Sequence, residues 1–175
     1  MSKIKTYTLL NSNFLFESLL MVFIILYFPL MLYCTVKVLS GFWNNNEAAG
    51  YFGILLLIIN SYLFYYFSLV IYQYAKYLWY EKNTRIEIDY ENEIIAIVKD
   101  SYTYVFNSEN LKSIEFHLST KHYKNLLRYY GYTKLYSTDG KEFIITNFIL
   151  NYRLIENMFN SVKKIKKLDE VIYLP

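Results

Sequence analysis

Two histidines, a glutamate beside them and a short run of lysines are the side chains of this sequence best placed to do chemistry. Glu115 and His117 are two residues apart, so on a strand they project from one face and could begin a metal site. His122 lies five residues further on, and no third ligand stands at a completing distance. The lone cysteine, Cys34, lies inside an apolar run. We therefore read no metal site. Asp89, Glu91 and Glu93 gather carboxylates within "DYENE". Acid–base work needs two carboxyls held in unlike environments, and a solvated turn explains this group more simply. Serine and threonine are present, but no G-x-S-x-G or S-x-x-K frames one as a nucleophile. No phosphate-cradling G-x-x-x-x-G-K or G-x-G-x-x-G occurs either. The expectation is a non-enzymatic protein with no catalytic residue, cofactor or metal.

The lysines remain. Lys163, Lys164, Lys166 and Lys167 form "KKIKK". Near a membrane surface such a cluster would touch anionic headgroups, at about 1 kcal/mol per lysine. At the end of a helix it would simply favour the helix dipole. An excess of 3 basic over acidic residues is too small to argue for nucleic acid.

Those side chains must be carried by something, and the chain divides sharply. It is 55% hydrophobic yet 19% charged, and the two characters occupy different halves. Ser18 to Val36, "SLLMVFIILYFPLMLYCTV", has no charge, and neither has Ala48 to Ala75. Each suffices to cross about 30 Å of hydrocarbon as a helix. A remaining domain of about 100 residues could not wrap two helices that are apolar all round. The first run starts late and lacks a small-residue cleavage site, so it reads as an anchor rather than a signal peptide. We expect a short N-terminus (1–17) and a two-helix transmembrane hairpin (18–81, spans about 18–36 and 50–75). Lys3 and Lys5 precede it, and Lys76, Lys82 and Arg85 follow it, against Lys37 and Glu47 in the loop. That bias places both termini in the cytoplasm. Trp43 and Trp79 fall near span ends, as interfacial anchors do. Pro29 should kink the first span. Asn60 is placed to pair with the other helix or with a second copy.

Past Lys82 the period becomes that of strands. "RIEIDY", "IIAIVK", "YTYVF", "LKSIEFHLS", "YTKLYST" and "KEFIIT" alternate or are rich in β-formers. The phase slip between Leu111 and Ile114 suggests a bulge or a late start of the strand. Asp139-Gly140 marks a tight hairpin. "TKHYKNLLRYYGY" reads as a long connection. From Asn147, a candidate cap, apolar residues recur every three or four positions to about residue 166, predicting an amphipathic helix.

An antiparallel meander closed by one helix, after two spans, resembles the bacterial PH-like membrane proteins. The resemblance rests on "RIEIDYENEIIAIV", "LKSIEF", "YGYTKLYSTDGKEFIIT" and the helix from Asn147. The two-span YcxB-like proteins are a near competitor. The likeness implies an α+β membrane protein: a helical hairpin, then a PH-like β-barrel or bent sheet (82–175) plugged by its C-terminal helix. Related domains bind phosphoinositides through basic residues on the first hairpin; here that hairpin reads as "RIEIDYENEIIAIVK", and its turn is acidic.

The function expected is binding at the cytoplasmic face of a bacterial inner membrane. The partners would be the bilayer, a protein or an anionic lipid, and a second copy of the chain, with protein ahead of lipid. The alternatives are an immunity protein against a membrane-acting toxin, or an accessory subunit of a transporter or envelope complex.

Overall fold

The computed structural model describes residues 4–9, 12–41, 47–120, 130–169, 172 and 174–175, with the side chains of 12–17, 47 and 49 set aside. Its elements are β1 Ile4–Tyr7, α1 Ser12–Leu39, α2 Glu47–Glu81, β2 Thr84–Asp89, β3 Ile94–Lys99, β4 Tyr102–Phe106, β5 Leu111–Ser119, β6 Tyr132–Ser137, β7 Glu142–Thr146, α3 Tyr152–Met158 and β8 Lys163–Asp169. They form two compact units: Phe16–Tyr72, and Met1–Leu15 with Gln73–Pro175.

The Phe16–Tyr72 unit is the helical hairpin. Both helices are long and apolar enough to cross a membrane, with only 17% and 6% of their most apolar stretches buried. Met21, Ile24 and Val70 are buried, and Phe28 meets Phe64 and Phe67 edge-on at 5.0 and 5.9 Å. Asn60 Nδ2 donates to Thr35 Oγ1 at 2.6 Å, and Thr35 Oγ1 donates to the Met31 carbonyl at 2.8 Å. Asn60 thus finds its partner on the other helix. A Cβ on Gly53 would come within 2.9 Å of the Leu39 backbone nitrogen, so the helices approach closely there. α1 runs through Pro29 as one helix.

In the second unit the strands alternate because one face is apolar. Ile86, Ile88, Ile95, Ile97, Ile114 and Phe116 point inward and are fully buried. Each such side chain contributes about 1.5–3 kcal/mol over an exposed one. One sheet has the order β1-β2-β3-β4, the other β7-β6-β5-β8. All neighbours are antiparallel except β8, which runs parallel to β5. The phase slip is a register shift between Leu111 and Ser113, with the strand already paired at Leu111. Gly140 makes its turn at φ 86, a conformation that costs other residues strain.

Four features differ from the sequence reading. The sheets do not close into a barrel; among the described residues each keeps two edge strands. The N-terminus is not a plain tail. "IKTY" pairs with β2, and Tyr7 bonds to Tyr90 through their hydroxyls at 2.8 Å. At four residues it is too short to show a period. The helix expected over 147–166 is instead a turn at 147–150, α3, and a strand. Phe148, Ile149 and Leu150 are consecutive and all buried, which one face of a helix cannot achieve. The cap is therefore Asn151, whose Oδ1 accepts the Arg153 amide at 3.0 Å, and not Asn147. Lys163–Asp169 then pairs with β5 instead of ending a helix. Finally, α2 continues past Ala75 to Glu81, and its last turns belong to the β unit. Tyr77 is buried there against Tyr130 and Phe148 at 5.2 and 5.3 Å.

Candidate binding surfaces

The strand period decides what the four lysines do. Successive side chains on β8 point to opposite sides. In register, Lys163 stands beside Ser113 and Lys167 beside His117, on the outer face of the sheet. Lys164 and Lys166 turn the other way, towards α3. Lys164 Nζ donates to the Glu156 carbonyl at 2.6 Å, and Lys166 pairs with the Glu156 carboxylate at 2.6 Å. The cluster therefore splits into two pairs, one of them engaged in holding α3.

The outer face carries the suspected metal pair. Glu115 and His117 do share it, with His117 Nε2 3.3 Å from Glu115 Oε2. Lys167 Nζ reaches the same oxygen at 3.0 Å, and the Tyr136 hydroxyl donates to it at 3.2 Å. A lysine ammonium thus occupies the carboxylate oxygen that a metal ion would need. His117 also stacks on Tyr132, ring centres 4.3 Å apart. Burial alone would raise the Glu115 carboxyl, but Lys167, His117 and Tyr136 outweigh it and hold it low. Burial lowers the His117 imidazole against the pull of Glu115. Among the described residues no three His, Cys, Asp or Glu side chains are grouped to hold a metal ion. His122 lies outside the described residues, as do Trp43 and most of the connection between β5 and β6.

The acidic cluster is a turn. Asp89 Oδ1 accepts the amides of Glu91 and Asn92 at 3.1 and 3.3 Å, and its Oδ2 accepts Asn92 Nδ2 at 2.7 Å. The Asn92 side-chain bond chiefly holds this exposed carboxyl below its usual range. Glu93, at φ 52, accepts the Ser108 hydroxyl at 2.5 Å.

One cleft was not anticipated. It encloses about 370 Å³ between the end of α2 and the β3–β4 turn, and is lined by Trp79, Tyr80, Lys82, Asn83, Lys99 and Asp100. The pairing of Thr84 with Lys99 brings its two sides together. Asp100, at φ 54, makes the turn, and its Oδ1 accepts Asn83 Nδ2 at 2.7 Å. Lys99 Nζ lies 3.4 Å from the Tyr80 ring centre, and Lys82 Nζ 5.7 Å from that of Trp79. Burial lowers the Lys99 ammonium, while Glu81 and Asp100 pull it back up. The available signal was Lys82-Asn83 and Lys99-Asp100 at the two ends of one strand hairpin. Two cations over two aromatic rings at a helix end suit a phosphate-bearing ligand.

A family model described as a PH domain matches residues 6–158, most of the chain and both helices. The chain belongs to the PH-domain family. No curated protein and no solved structure matches it. As a PH domain it is of a kind that typically binds proteins or lipids without catalysis. The match begins within β1, so the two helices are inserted between the first and second strands of this PH domain. The acidic turn after β2 therefore belongs to the second strand pair, not the first as the sequence suggested.

Proposed function

We propose that this PH-domain protein is a non-enzymatic integral protein of a bacterial inner membrane, with a helical hairpin crossing twice and both termini in the cytoplasm. The pairing of β1 with β2 carries the reading. These strands flank the hairpin and lie side by side, so the chain enters and leaves the hairpin on one side. That supports an even number of crossings. A reporter fused after Pro175 is expected to be active only in its cytoplasmic form, and one placed in the 40–46 loop only in its exported form. A loop reporter active in the cytoplasm would refute the topology.

The PH domain, in this reading, holds an anionic lipid headgroup in the Trp79–Lys99 cleft. Trp79 stands four residues beyond the apolar run, about 6 Å of helix, where indole rings favour the interface. Lys163 and Lys167 on the outer face of β8 form a secondary contact; Lys164 and Lys166 mainly hold α3. Substituting Lys82→Gln together with Lys99→Gln should weaken anionic-lipid retention by about 2 kcal/mol, roughly thirtyfold, in the full chain purified in mild detergent. Unchanged retention would remove the cleft from the account. A second reading, capture of a protein partner, is favoured by edge strand β4, where Tyr102 and Val105 are exposed and no further strand pairs among the described residues.

A further inference from the structure

The last turns of α2 carry Gln73, Tyr77 and Glu81, four residues apart and so on one helix face. All three are completely buried. Their polar atoms are poorly met: among the described residues, both Gln73 amide atoms, the Tyr77 hydroxyl and Glu81 Oε2 have no hydrogen-bond partner. The buried hydroxyls of Thr84, Thr133 and Thr146 and the Asn147 Oδ1 are in the same position. A buried polar atom left unsatisfied costs about 1–3 kcal/mol. A seam of this kind is one at which two packed elements can part at modest cost.

Glu81 is the carboxylic acid of this seam. Its Oε1 accepts the backbone amide of Thr146 at 2.8 Å. Thr146 ends β7, an edge strand, so the carboxyl caps the edge that the sheet leaves open. The groups facing Glu81 are Tyr80 on its own helix, Thr84 of β2, Lys99 of β3 and Thr146 of β7. Lys99 directs its ammonium over the Tyr80 ring, and no ion pair joins it to Glu81 among the described residues. An ionised carboxylate here is charged and dry, held by the Thr146 amide with the Thr84 and Thr146 hydroxyls as its further neutral neighbours. A protonated one keeps that bond and gains a hydroxyl that can donate to a threonine oxygen.

We infer that Glu81 is a proton-operated latch: protonated, it fastens the end of α2 to the edge of β7, and ionised, it loosens that seam and uncovers the edge. The inference rests on the β unit alone and does not need the membrane reading. Burial raises the Glu81 carboxyl above its ordinary 4.5, against smaller downward pulls from Thr146, Thr84 and Lys99. A raised value in the folded state means that the fastening is complete below about 4.5 and is lost as pH rises through the folded value.

The test is hydrogen exchange at the Thr146 amide in the full chain in detergent, from about pH 4.5 to about 9, corrected for the intrinsic rate. In the wild type the opening constant should rise with pH, by up to about tenfold per unit above the folded value. Glu81→Gln retains an acceptor for the amide but cannot ionise, and its opening constant should be flat. A flat wild type, or a variant that follows the wild type, overturns the latch. If Glu81→Gln fails to fold, infrared spectroscopy of the wild type decides. A protonated-carboxyl band should persist above the pH at which exposed carboxyls have ionised, and its absence overturns the proposal.

Discussion

The two halves of α2 invert each other's chemistry. From Ala48 to Tyr72 the helix exposes Leu55, Ile58 and Phe64 and keeps little inside. From Gln73 to Glu81 it buries an amide, a phenol and a carboxyl, while Trp79 is 79% exposed. Hydropathy runs over both without a break, since one apolar stretch extends from Gly50 to Glu81. The difference lies in what each half meets. The second half packs against strands of its own unit; the first half meets α1 on one side and leaves most of its apolar surface uncovered by protein. Mean hydropathy therefore reports the solvent a helix tolerates, whereas the four-residue spacing of Gln73, Tyr77 and Glu81 reports a protein-facing side.

The sharpest way to break this contrast is to truncate one large apolar side chain in each unit. Phe116 is fully buried on β5, with Tyr152 against it at 5.8 Å. Phe116→Ala should cost about 3–5 kcal/mol of domain stability. Leu26 on α1 is 68% exposed. Leu26→Ala should leave domain unfolding within about 0.5 kcal/mol of wild type. Denaturant titration of the full chain in detergent reads both. Comparable losses would mean that the two units do not unfold separately.

A charge on the same residue asks what surrounds it. In water, Leu26→Lys on an exposed helix face would be close to neutral. In hydrocarbon, near the middle of the 18–36 run, it should cost about 3 kcal/mol. The measurement is the fraction of protein that resists alkaline extraction from membranes. An unchanged fraction would count against a bilayer around α1.

Much of this contrast was legible in the sequence, because it depends on period. The strands from Arg85 to Thr146 announce themselves by alternation and by Asp139-Gly140. The apolar runs announce themselves by length. What escaped was set by partners distant in the chain. β1 is strand because β2 is beside it, some 80 residues later. "KKIKK" is strand because β5 offers a parallel edge; alone, its lysines suit a helix end equally well. Asn147 and Asn151 are both credible caps, and only the burial of the three residues between Asn147 and Asn151 chooses Asn151. The cleft was hidden for the same reason: its two sides, Lys82-Asn83 and Lys99-Asp100, become neighbours only once β2 and β3 pair.

The smallest expected effect tests the interior of the hairpin. Asn60 and Thr35 form a cross-helix hydrogen bond. Bonds of this kind within membranes average about 0.6 kcal/mol. The two deletions should nevertheless be unequal. Asn60→Leu leaves the Thr35 hydroxyl still donating to the Met31 carbonyl, so no polar group is stranded. Thr35→Val strands the Asn60 amide amid Phe28, Leu57 and Phe64, and should cost more, towards the 1–3 kcal/mol of an unsatisfied group. Unfolding of the hairpin in micelles, followed by the change in helix content, measures both. If Asn60→Leu proves the more damaging and also shifts the mass of the detergent complex, the amide is serving a second copy of the chain, and the pairing with Thr35 is not its main role.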